Sequence, residues 1–75
     1  MEYNERKINV LAAMAELGEA RARELMEYLG DIELEAAKKC LTRYYWQGLL
    51  SRERGLYRMS KRGYERLEHL QDIMQ

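Results

Sequence analysis

Up to Gly48 the apolar residues of this chain recur at the three-and-four spacing of an α-helix, and beyond it they do not. That change of period sets the order of elements: helices first, then a short extended pair, then a helix again. Ile8, Leu11, Ala12 and Ala15 make one apolar stripe, predicting a first helix that Asn4 can cap and that ends at about Leu17, where Gly18 stops it. A second row, Tyr3, Val10, Met14 and Leu17, lies on the far side of the same helix, where a helix covering a core on one side only has no use for it. Something else must cover that row. Glu19 and Ala20 are few for a strand, and they lead into Ala22, Leu25, Met26 and Leu29, a short second helix with Gly30 just past its end. Asp31 can cap a third helix whose inward side holds Ala37, Cys40, Leu41 and Tyr44, with Leu34 and Tyr45 at the margin.

After Gly48, Leu49 to Arg52 and Leu56 to Met59 read as two extended runs around Glu53, Arg54 and Gly55, with Gly55 free to turn the chain at positive φ. Ser60 can cap a last helix, along which Leu67, Leu70 and Met74 make a seam flanked by Tyr64 and Ile73. The expected fold class is therefore mainly α with a small β-hairpin, in the order helix, strand, helix, helix, strand, strand, helix.

With 75 residues and no proline-rich linker, residues 1–75 make one small domain, near the size at which a single core just suffices. No apolar run reaches the roughly 18 residues of a membrane span, and the polar opening MEYNERK lacks the apolar centre of a secretion signal. A soluble, cytoplasmic protein is expected, and the lone Cys40 fits a reducing compartment. No His or Cys set stands at metal-ligand spacing, no nucleophile is paired with a base, and no glycine-rich phosphate loop occurs, so neither enzyme, cofactor nor metal site is expected. Formal charge is zero, but it is unevenly spread: residues 1–30 carry four Lys/Arg against six Asp/Glu, whereas residues 43–62 carry six against Glu53 alone.

The element order is that of a winged helix-turn-helix. Ala37, Leu41, Tyr44, Gly48, Leu49, Leu50 and Arg52, followed by Gly55, Leu56, Tyr57, Met59, Ser60, Gly63 and Leu67, resemble the pattern of MarR-like, PadR-like and related archaeal winged-helix regulators. The resemblance spans about Asn4 to Leu67. It implies a DNA-binding transcription regulator, with the third helix in the major groove of double-stranded DNA and the hairpin, or wing, on the backbone.

With Leu41 and Tyr44 turned to the core, the opposite side of the third helix carries Glu35, Lys39, Thr42, Arg43 and Trp46, with Lys38 at its edge. Lys39 or Arg43 can bond guanine edges, and Thr42 a thymine methyl or a phosphate. On the hairpin, Arg52, Arg54 and Arg58 are candidates for flanking phosphates, Arg54 also for the minor groove. Trp46 is expected to fold over the base of the wing or a neighbouring tyrosine such as Tyr57. Asp31, Glu33 and Glu35 crowd the front of the third helix and would repel a phosphate backbone. The second row of the first helix and the seam of Leu67, Leu70 and Met74 can cover each other within one chain; alternatively, because the resembled regulators pair through their terminal helices, the resemblance implies a homodimer interface built from Val10, Met14, Leu67, Leu70 and Met74. The competing expectation is a winged helix used for protein contact, docking through the third helix and Trp46.

Overall fold

The computed structural model describes residues 2–74, with side chains over 5–73. Its elements run α1 (Glu2–Leu17), β1 (Glu19–Ala20), α2 (Ala22–Leu29), α3 (Leu34–Trp46), β2 (Leu50–Glu53), β3 (Leu56–Met59) and α4 (Lys61–Met74). The architecture is α+β and mostly helical, with a three-stranded antiparallel sheet in the order β1-β3-β2. The two residues of β1 are enough because β3 is already there to receive them: Glu19 pairs with Arg58 and Ala20 with Tyr57.

Helix α1 is ringed by α2, α4, β1 and β3. That arrangement explains its two apolar rows: Val10, Leu11 and Met14 have no exposed surface, while Ile8, Ala12 and Ala15 are half-buried at the margin of the same core. The cover for the second row comes from α4, which packs along α1 and buries Leu67 (9% exposed) and Leu70 (6%). Burying each such side chain contributes about 1.5–3 kcal/mol, enough to hold a terminal helix in place. Val10, Met14, Leu67 and Leu70, the residues expected at a homodimer seam, are all buried in the core of the single chain. Met74 closes α4, and its side chain lies outside the described residues.

Two helix starts differ from expectation. Asn4 sits inside α1, which begins at Glu2. Glu33 rather than Asp31 precedes α3, and the carboxylate of Asp31 is paired with Arg6 at 3.3 Å. At the other end of α2, Gly30 takes φ +76 and its N–H bonds the Met26 carbonyl, as a helix terminator should.

The chain leaves α3 and enters α4 at nearly the same point. The Ser60 N–H donates to the Leu49 carbonyl at 3.1 Å. The Ser60 hydroxyl donates to the Gly48 carbonyl at 2.7 Å and accepts from the Gly63 N–H at 3.0 Å. One cap therefore fastens the foot of the hairpin to the first turn of α4. Among the described residues, no helix is long and apolar enough to cross a membrane.

Candidate nucleic-acid interface

Helix α3 is anchored from its inner side. Ala37, Leu41 and Tyr44 are buried, and Lys7 reaches from α1 to the end of the helix. Its ammonium donates to Gln47 Oε1 at 2.7 Å and lies 5.6 Å from the centre of the Tyr44 ring. Lys7 is itself buried (7% exposed). Burial, with the Arg66 guanidinium adding repulsion, holds its pKa below the ordinary lysine value.

This anchoring turns Lys38, Lys39, Thr42 and Arg43 to the opposite side, where the four line one open depression of about 360 Å³. Lys38 is tied to Glu35 one turn earlier at 3.5 Å, with both side chains exposed. Among the described residues no ion pair engages Lys39 or Arg43. The acidic front of α3 is partly neutralised, Asp31 by Arg6 and Glu35 by Lys38.

The hairpin arginines part company. In the ladder Arg52 stands opposite Tyr57, and Tyr57 opposite Ala20, so these residues share the inner face of the sheet. The Arg52 guanidinium lies 4.4 Å from the centre of the Tyr45 ring and 5.9 Å from that of Tyr57, and donates to the Tyr57 hydroxyl at 3.4 Å. That hydrogen bond holds its proton more tightly than an ordinary guanidinium would. Arg52 thus spans from the sheet to α3 while its side chain remains exposed. Arg58 projects from the outer face but is paired with Glu19 across β1 and β3 at 2.5 Å. Arg52 and Arg58 nevertheless line one open depression with Ser51, Glu53 and Leu56, and Arg54 stands outside it.

Arg54 is at the tip. The turn has two residues, Arg54 at φ 54 and Gly55 at φ 80, the pair of positive values that a tight primed hairpin turn needs. Holding a side-chain-bearing residue there costs about 1–2 kcal/mol, and Asn is the usual occupant. The Arg54 carbonyl accepts a hydrogen bond from Arg21 Nη1 at 2.8 Å. Arg21, immediately before α2, thereby joins the hairpin tip. Sequence reasoning missed it, since its partner is 33 positions away and no local spacing links them.

Trp46 departs from expectation as well. It does not fold over the base of the hairpin: it is 77% exposed, with its ring edge-on to Tyr45 at a centroid distance of 5.6 Å. Tyr57, its expected neighbour, is occupied by Arg52 instead. Cys40 is half-buried at the inner margin of α3. On α4, Arg62, Glu65, Arg66 and His69 line a second open depression. Among the described residues no three His, Cys, Asp or Glu side chains converge on a point where they could hold a metal ion. Compared with known proteins, the chain matches no family model, no curated protein and no solved structure.

Proposed function

We propose that this chain is a winged-helix DNA-binding protein of transcription-regulator type, with α3 entering the major groove and the hairpin resting on the adjacent backbone. The observation that carries this reading is the convergence of Lys38, Lys39, Thr42 and Arg43 on one exposed depression of α3. The element order and the β1-β3-β2 sheet are compatible with it. So is the choice of arginine, against local preference, at the hairpin tip. In this reading Lys39, Thr42 and Arg43 meet base edges, Lys38 meets phosphate, and Arg54 and Arg21 grip the backbone beyond the groove. Arg52 holds the hairpin against α3, and Arg58 contributes only when Glu19 releases it. Two copies pairing on a palindromic site would have to meet through surface such as Tyr64 and Ile73, the large apolar residues that α4 leaves exposed.

The test is a salt titration of binding to duplex DNA. Affinity should fall steeply as salt rises, and Arg43→Ala and Arg54→Ala should each flatten the log–log slope by about one unit. Slopes unchanged in both variants would remove the assignment. The exposure of Trp46 favours a second reading, a protein-docking surface made of Trp46 and the mixed charges of α3, for which duplex binding should be absent even at low salt.

A further inference from the structure

Reading base edges from a groove gives Trp46 nothing to do. A base inside a duplex has both faces covered by its neighbours and offers the groove only its edge, so the flat face of an indole finds no partner there. Yet this indole is held for use. Tyr45 supports it edge-on, with an interplanar angle of 68°, and Tyr45 is itself clamped by the Arg52 guanidinium, which Tyr57 holds by a hydrogen bond. The end of α3 that bears Trp46 is fixed by buried Tyr44 and by the Lys7–Gln47 bond. The ring thus stands exposed on a rigid foundation.

Its surroundings are cationic. Arg43 and Thr42 precede it by one helical turn on the same side of α3. Beyond it, the Arg62 side chain passes over Gly48, two residues further along the chain. Among the described residues neither Arg43 nor Arg62 is held by an ion pair. An exposed aromatic ring with Arg43 one turn before it and Arg62 over the glycine just after it matches an unpaired nucleobase, the ring stacking on the base and the arginines within reach of neighbouring phosphates.

We propose that Trp46 is a base-stacking residue, and that the α3 surface prefers DNA carrying an unpaired base within or beside a duplex over uninterrupted duplex. This rests on the nucleic-acid reading of α3 given above. It adds a class of target, bulged or locally opened DNA, in which an extrahelical base is already free and need not be unstacked by the protein.

Trp46 is the one tryptophan of the chain, so intrinsic indole emission reports on it alone. The protein is titrated with a short duplex bearing a single central unpaired thymine and with the same duplex fully paired, affinity being read from anisotropy of a labelled strand and stacking from indole quenching with unlabelled DNA. The bulged duplex should bind about tenfold more tightly and quench the emission. Trp46→Leu should bring its affinity down to that of the paired duplex while leaving paired-duplex affinity and salt slope unchanged, and Trp46→Phe should keep part of the preference. Unchanged far-UV circular dichroism shows that the variants are folded, as the exposure of the residue requires. Equal affinities with unquenched emission, or a preference that survives Trp46→Leu, overturn the stacking role while leaving groove binding intact. Failure of both DNAs to bind at low salt overturns this inference together with the function on which it rests.

Discussion

Replacing Gly63 by alanine isolates the joint on which the hairpin and α4 both depend. Gly63 lies inside α4 at ordinary helical dihedrals, so on propensity alone Gly63→Ala should stabilise the helix by about 1 kcal/mol. The surroundings reverse that sign. A Cβ at this position would stand 2.1 Å from the Leu49 carbonyl oxygen, 3.1 Å from its carbon and 3.2 Å from the Met59 sulfur. The thioether can swing aside, but the carbonyl belongs to the backbone and must retreat by about 1 Å or more to reach the 3.4 Å of ordinary contact. That same oxygen accepts the Ser60 N–H at 3.1 Å, so moving it strains the cap. Overpacking of this kind costs about 1–3 kcal/mol, and a weakened hydrogen bond up to about 1 kcal/mol more. After the gain in propensity is subtracted, a net loss of about 2 kcal/mol follows, roughly 10 °C in Tm for a domain of this length. Thermal unfolding followed at 222 nm measures it. Gly18→Ala is the control: nothing lies within 4 Å of its Cβ position, so only the strain of φ +81 acts, at about 1–2 kcal/mol. A Gly63→Ala protein melting at or above the wild-type temperature would refute the close approach of α4 to Leu49.

Four further outcomes are expected. Leu70→Glu should unfold the chain instead of splitting a dimer, because a carboxylate placed at this buried seam lacks a partner and costs about 3–5 kcal/mol; circular dichroism together with sedimentation distinguishes the two. Lys7 titrates below the ordinary 10.5 in the folded chain, so the unfolded chain binds that proton more tightly; the resulting destabilisation is full below the folded pKa and fades as pH climbs toward 10.5. Urea unfolding across that alkaline interval should therefore show wild type gaining stability relative to Lys7→Met. Arg54→Asn should stabilise the hairpin by about 1 kcal/mol, as a better occupant of positive φ, while weakening the salt dependence of DNA binding by about one phosphate contact. Glu19→Gln should release Arg58 and tighten duplex binding at low salt by up to about 1 kcal/mol, which anisotropy titration reads directly.

What the sequence disclosed, and what it hid, follows the range of the interactions. The angles around a helix are local, so the division of α3 into a buried side of Ala37, Leu41 and Tyr44 and an outer side of Lys39, Thr42 and Arg43 could be read by counting, and it holds. The hairpin was equally local, apart from a turn of two residues where three were expected. The destinations of long side chains were not legible. Arg58 finds Glu19 across 39 positions, Arg21 finds Arg54 across 33, and Lys7 finds Gln47 across 40, none of which any periodicity announces. Arg52 lay within reach, since strand alternation puts it on the same face as Leu50 and so toward Tyr45, a consequence that the charge of the side chain obscured. The exposure of Trp46 runs against the usual burial of aromatic side chains, and the Tyr57 ring on the sheet is met by Arg52.

The meeting of Leu49 with Ser60 makes residues 50–59 a cassette on a closed neck. Its inner rail, β3, is bolted to the body by β1, whereas β2 is an edge strand with one partner in the sheet. Evolution or an engineer can therefore lengthen the turn, or redraft β2 beyond Arg52, without disturbing the residues that seat α3. The length of the hairpin is adjustable separately from the outer surface of α3.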